Sequence, residues 1–315
     1  MKTNRTFWGA AALALATGAS AAADRTEILL NEPLVYPESI TSTPDGTVIF
    51  GSFTKPTIYR SKPGSPVAEP WIHLTGEAAI SSLGVLADPK TNTLWACVGE
   101  RARDAAPPGR RTFLRSFDLK TGAQIASYPL PGPMNLCNDI AIAPNGNVYT
   151  NDTIGGRILR LNLKAAALEI WLEDKALGGI DGIAFLGPKL YVATISTSHI
   201  YRVPILADGK AGAIVDIKLS QPVVRPDGMR AANGMLFVAE NHPSNKLSML
   251  RFRGDEATVT VLMDKLMTPT GMAPTGKVLW IDESRMAYIQ DPSLRGQDPG
   301  PIRAISIPMP APKKP

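Results

Sequence analysis

The sequence predicts an all-β chain folded as a six-bladed β-propeller with four strands per blade, on three observations. Six stretches share one pattern, in which a polar-headed apolar segment meets a turn rich in Gly, Asn, Asp or Pro and then a second apolar segment. The stretches recur at a near-constant interval. Between them there is no helical pattern of ten or more residues, which a parallel-sheet fold would need.

Taken in chain order, the first repeat is "PESITSTPDGTVIFGS" from Pro37, a hairpin turning on Pro-Asp-Gly and followed by the strand-like "TIYRS". The second, "SLGVLADPKTNTLWAC" from Ser82, turns on a Pro-Lys-Thr-Asn segment. "CNDIAIAPNGNVYTND" from Cys137 and "IDGIAFLGPKLYVATIS" from Ile180 are followed by "ILRLNL" and "HIYRVPI". "PDGMRAANGMLFVAE" from Pro226 precedes "KLSMLRFR" and "TVTVLMD", and "PTGMAPTGKVLWIDES" from Pro269 completes the set. Aligned at their polar heads, the repeats place Glu38, Leu83, Asn138, Asp181, Asp227 and Thr270 in one register, with separations of 45, 55, 43, 46 and 43 residues. Ring closure needs an outer strand from one chain end, and either "RTEILLNE" from Arg25 or "IRAISIP" from Ile302 suits it.

The ends and the bulk composition set limits. Lys2 and Arg5, an apolar run from Phe7 and the small residues of "TGASAAAD" read as an export signal over residues 1–23. The propeller is expected over 24–308, and the Pro-rich 309–315 as a frayed tail. A barrel or repeat architecture explains how about 290 residues form one domain. Formal charge is +5 for the whole chain and falls to +3 without Lys2 and Arg5, which argues against a nucleic-acid partner. Cys97 and Cys137 are the two cysteines, too few for a disulfide scaffold and without metal-ligand spacing. One bridge between them and two buried thiols are both open.

In a propeller the first strand of each blade lines the central channel, so the six heads gather at one mouth. Three carboxylates and one carboxamide then converge. Carboxylates so close lose ionisation unless a cation neutralises them, and all-oxygen ligation selects Ca²⁺ or Mg²⁺ before Mn²⁺, with Zn²⁺ less natural. Asp and Asn also cap local backbone where a loop enters a strand. Caps need not share a register across four repeats, however, and Glu38 is a poor turn former.

These motifs resemble the senescence-marker-protein, gluconolactonase and luciferin-regenerating-enzyme family, the regucalcin-like propellers. "PES" at Glu38 is similar to the family's early Glu-Gly segment, "CNDIAIAPNG" to its Asn-Asp-Gly blade, "IDGIAF" to its Asn-Gly-Leu blade and "PDGM" to its Pro-Asp-Gly-Met blade. The resemblance implies Glu38, Asp181 and Asp227 as ligands of one divalent cation, Ca²⁺ first. It implies Asn138 as a further ligand or a substrate contact, and Asp227 as the catalytic base. Two positions depart from the pattern: Asp181 stands where the family usually has Asn, and Leu136 where sugar-lactone members often have Arg.

The second strand of each blade returns to the same mouth. Its end residues Ser52, Asn151, Asp152, Ser196, Asn241, His242, Asp282 and Glu283 are expected as solvated strand ends, with His242 also a candidate substrate or proton-transfer residue. The longest repeat contains "GERARDAAPPGRRT", read as a charged loop that brings Arg101, Arg103, Arg110 and Arg111 to the metal side, Arg101 and Arg103 being candidate substrate contacts. No Gly-rich phosphate loop, His-Glu-x-x-His helix or Gly-x-Ser-x-Gly elbow occurs. The expectation is an exported, periplasmic or secreted, monomeric, metal-dependent hydrolase of a lactone or related cyclic ester, without nucleic-acid or membrane partners. The alternatives are a non-catalytic ligand- or protein-binding propeller with a structural ion, and a phosphotriesterase-like or strictosidine-synthase-like enzyme.

Overall fold

The computed structural model describes residues 26–74, 78–102 and 109–312. The expected export signal, Arg103 and the last three residues lie outside them. More than half of the chain is strand and 3% is helix, so the all-β reading holds. Among the described residues no helix is long and apolar enough to cross a membrane.

After β1 (Glu27–Leu30), the strands fall into antiparallel units. The first holds β2 (Ile40–Ser42), β3 (Val48–Phe50), β4 (Thr57–Ser61) and β5 (Val67–His73). The second holds β6 (Ala79–Asp88), β7 (Thr93–Ala102), β8 (Gly109–Asp118) and β9 (Gln124–Pro129). The third runs through β10 (Cys137–Ile142), β11 (Val148–Asp152), β12 (Arg157–Asn162) and β13 (Ala167–Glu173), and the fourth through β14 (Ile180–Leu186), β15 (Lys189–Thr194), β16 (His199–Val203) and β17 (Val215–Asp216). The short β18 (Lys218–Leu219) joins, in parallel, the outer edge of a unit made of β19 (Pro226–Ala232), β20 (Met235–Glu240), β21 (Lys246–Arg253) and β22 (Glu256–Met263). The last unit contains β23 (Met272–Thr275), β24 (Val278–Glu283) and β25 (Arg303–Pro308).

The hairpins form for the reason the sequence suggests. In the first, Asp45 accepts the Thr47 N–H at 3.0 Å while Gly46 takes a left-handed φ of 91°. Asn145, Gly146 and Asn147 repeat that turn in the third unit, with a 3.1 Å bond and a φ of 88°.

Both chain ends close the structure. The C-terminal segment is the third strand of the last unit, and β1 pairs antiparallel with it, Glu27 opposite Ile305. β1 also meets β5 in parallel, Leu29 opposite Val67, so one sheet runs continuously from the first unit into the last. The start of the tail is held rather than frayed: Met309 N–H donates to the Lys277 carbonyl, and the carbonyls of Pro310 and Ala311 accept from Asn233 and Arg251.

First strands neighbour one another in the order β2, β6, β10, β14, β19, β23 and back to β2, a nearly closed barrel-like arrangement. Their approach is close. A Cβ on Gly182 or Gly228 would overlap the backbone carbonyl of Asp227 or Thr270 on the next strand, which only glycine permits. Instead of one central core there is an apolar layer between each pair of adjacent units. Leu83, Trp95 and Leu114 face Ile140, Val148 and Leu159, for example, and Tyr36, Phe50 and Tyr59 of the first unit face Trp280 and Ala304 of the last.

The insertion in the second unit is not a bare loop from residue 100. β7 and β8 continue their ladder into it as far as Ala102 opposite Gly109, with Arg101 opposite Arg110. Cys97 on β7 and Cys137 on β10 are joined as a disulfide that spans two units, settling the pairing that the sequence leaves open. Replacing both cysteines by Ala should lower stability by about 2–4 kcal/mol, seen as a lower melting temperature than that of the oxidised protein. An unchanged melting temperature would show that the bridge constrains nothing.

Candidate metal centre

The heads reach the channel because the backbone bulges there. In β10, β14 and β19 the register with the second strand slips by one residue between Cys137 and Ile140, Ile180 and Ile183, and Pro226 and Met229. The extra residue turns Asn138, Asp181 and Asp227 out of the ladder. Glu38 arrives from the segment preceding β2. Glu38, Asp181 and Asp227 each bring one carboxylate oxygen to within 4.8 Å of the others, and all three are buried, at 7%, 6% and 5% exposure. Leu83 and Thr270, in the same register, supply no strong ligand. Leu83 is packed in the core, and the Thr270 hydroxyl donates to the Pro37 carbonyl and the Asp282 carboxylate.

Burial together makes the acids resist ionisation. Glu38 is pushed well above the carboxylate range, first by burial and then by the charges of Asp227 and Asp181. Burial and then Asp139 raise Asp181 to about 7; burial and then Asp181 raise Asp227. The Asn138 side chain hydrogen-bonds Asp181 and favours its charged form. The cavity bounded by these groups measures about 10 Å³, water-sized rather than substrate-sized. An all-oxygen donor set of this size suits a hard divalent cation, whose charge would remove the repulsion.

The strand ends expected in solvent are mostly buried braces. Ser52, Asn151, Asp152, Asn241, Asp282 and Glu283 are buried, whereas Ser196 is exposed. Asn151 accepts the backbone N–H groups of Asn138 and Asp139 at 3.3 and 2.9 Å; Asp282 accepts those of Thr270 and Gly271 at 2.8 and 3.0 Å. Asn138 and Asp139 are in the bulge of β10, and Thr270 and Gly271 precede β23, so none of the four has a ladder partner for its N–H and these side chains replace it. Asn241 acts on a candidate ligand directly: its amide donates to Asp227 Oδ2 at 2.6 Å, while Gly228 N–H donates to Oδ1 at 2.9 Å.

Below the carboxylates lies an ion pair that the sequence reading missed. Arg230 Nη1 is 2.9 Å from both oxygens of Asp139, and Nη2 reaches Ser39 Oγ and the Val85 carbonyl at 3.2 Å. A signal existed: three residues after each head stand Thr41, Leu86, Ala141, Ala184, Arg230 and Ala273, one charge among six. Arg230 lines both the small acidic cavity and a larger one of about 510 Å³ near Leu86, Ile142 and Phe185. The larger cavity holds none of the convergent acids, so volume alone would point away from the chemistry.

The remaining candidates stand apart from the carboxylates. Arg101 is exposed, on the stretch of β7 that extends past Leu83 toward this mouth. His242 follows Asn241, donates its N–H to Asn241 Oδ1 at 2.6 Å and turns its ring to Asp291, 3.6 Å away.

No family model and no curated relative matches the chain. Solved structures do. A candidate gluconolactonase superposes with a TM-score of 0.64 at 16% identity, covering 92% of this chain and 94% of its own. Regucalcin of Agrobacterium tumefaciens, described as a calcium-binding protein, gives 0.63 at 16%, covering 91% and 95%. An aldose sugar dehydrogenase of Streptomyces coelicolor with bound PQQ gives 0.61 at 14%, covering 89% and 96%. The first two belong to the group whose motifs the sequence resembles, and these neighbours are β-propellers. At such identities the likeness shows the fold.

Two outcomes follow from the charges. Asp181 and Asp282 titrate near 7 in the folded chain against about 3.8 in the unfolded one, so between those values the folded state binds more protons. Stability of the metal-free protein should therefore be fully present below pH 4 as far as these groups go and be lost as pH rises through about 7. With chelator, the melting temperature at pH 8 should lie roughly 5 °C or more below that at pH 5.5, and Ca²⁺ should narrow the gap. Equal melting temperatures would mean that the acids are not buried together. Separately, Arg230→Met should cost about 3–5 kcal/mol by leaving Asp139 unpaired, and adding Asp139→Asn should recover part of it. Additive losses in denaturant titrations would show the two residues to be uncoupled.

Proposed function

We propose that the chain is a six-bladed β-propeller and an exported, divalent-metal-dependent hydrolase of a lactone or related cyclic ester. The convergence of Glu38, Asp181 and Asp227 carries this reading; the gluconolactonase and regucalcin neighbours support it at the level of a lactonase-like family. Glu38, Asp181, Asp227 and Asn138 would hold the ion, Ca²⁺ before Mg²⁺, Mn²⁺ or Zn²⁺. The disulfide supports an oxidising compartment, periplasmic or extracellular. The near-balanced charge supports a small-molecule substrate rather than nucleic acid, and the protein acts as a monomer away from membranes.

When bound, the ion supplies Lewis-acid polarisation of an ester carbonyl. Asp227 accepts the proton of the attacking water, which adds to the carbonyl carbon. The ring C–O bond breaks and Asp227 returns the proton to the departing alkoxide, so water is divided between acid and alcohol. Asn241 and Gly228 each bind one oxygen of Asp227 and so fix its orientation. Asn138 donates to the substrate oxygen, and because the acidic cavity is water-sized the substrate sits above it at the mouth. The small size of that cavity also favours a second reading, an ion that is purely structural in a binding propeller.

Asp227→Asn should reduce lactone hydrolysis at least 100-fold while the melting profile stays cooperative. Full activity in that variant would refute the base. Chelator-sensitive turnover supports the hydrolase; bound metal without turnover on a lactone panel supports the structural ion.

A further inference from the structure

Arg225 lies two residues before Asp227, in the turn leading into β19. Its φ is 49°, left-handed, and Tyr36 and Thr268, two residues before Glu38 and Thr270, share that conformation at 42° and 55°. The turn therefore belongs to how these strands begin, whatever the side chain, and an arginine in it is not required by the backbone. The segment is pinned on both sides. Arg225 N–H donates to Ser198 Oγ at 3.0 Å, and its carbonyl accepts the N–H of Asn241, the residue that holds Asp227.

The guanidinium sits within electrostatic reach of Asp181, whose charged form it favours. Arg115, Arg157, Arg202, Arg230 and Arg303 each pair with a carboxylate. Among the described residues none pairs with the Arg225 side chain, and its buried Nε has no hydrogen-bond partner. Three carboxylates and a divalent ion would leave one negative charge at the mouth, and the buried carboxyl of Asp282 stands within electrostatic reach of Glu38 and Asp227. Arg225 offsets part of that charge and carries donors in a planar fork that matches a carboxylate.

We propose that Arg225 is the anion-binding residue of this mouth, receiving the carboxylate of a hydroxy acid or of its carboxylated lactone. This deepens the hydrolase reading by assigning the ligand class, and it rests on that reading for the place of the ion. Without Arg225 a loaded centre would repel such a ligand; with it, the ligand meets a less negative mouth and a guanidinium that no carboxylate among the described residues has already taken.

Lactate, a simple 2-hydroxy carboxylate, is the probe, with methyl lactate as its neutral control, titrated by NMR into Ca²⁺-loaded protein. With Ca²⁺ kept saturating for each protein, Arg225→Gln should weaken lactate about tenfold or more and leave methyl lactate affinity unchanged. Arg225→Lys, which keeps the charge without the fork, should fall between. Wild-type protein that does not bind lactate, a variant that binds it equally well, or equal losses for lactate and its ester would each overturn the inference. If Arg225→Gln fails to fold, Arg225→Lys binding lactate as tightly as wild type overturns it instead. Lactate binding through Arg225 in a protein without lactone turnover would sink the hydrolase alone.

Discussion

The constraint on which the candidate site depends is that like charges are held together out of water. Glu38, Asp181 and Asp227 come from three units far apart in the chain, yet their oxygens share a space of a few ångströms. Burial and mutual repulsion both oppose ionisation there, and nothing local to any one strand would bring them together. What holds them is the ring of first strands, stabilised from outside by apolar layers between successive units. The cost of the acidic mouth is spread over a large packed structure that does not depend on it.

That ring needs local irregularity to work. A regular strand would alternate its side chains and keep each head in the ladder; a one-residue bulge turns the head into the channel and leaves backbone groups without partners. Asn151 accepts such N–H groups in β10, Asp282 does the same for the residues just before β23, and glycine at Gly182 and Gly228, directly after two of the heads, lets the neighbouring strand approach. The polar residues at the ends of the second strands are thus tied to the first strands, which is why they are buried.

Charge is graded along the channel. The acids crowd one mouth, the Asp139–Arg230 pair crosses below them, and the wide apolar cavity lies near the opposite strand ends. Propellers of similar shape include a candidate gluconolactonase, a calcium-binding regucalcin and a PQQ-bound sugar dehydrogenase. A shared ring thus accommodates different chemistry, and the side chains at the mouth, more than the fold, bear on what this chain does.

Much of this was legible in one dimension. Hairpins announce themselves through alternation and turn residues that act over a few positions, so the repeats, their period and the register of Glu38, Asn138, Asp181 and Asp227 can be read along the chain. The sequence by itself therefore determined the all-β character and which acids could meet. The tertiary structure decided what they meet with: Arg230 beside Asp139, 91 residues away, Asn241 on Asp227, Cys97 against Cys137, and β1 as the outer strand next to β25. Hydrophobic periodicity and turn chemistry are properties of neighbouring residues, whereas ion pairs, disulfides and strand closure depend on distances through space that exist only once the ring has formed.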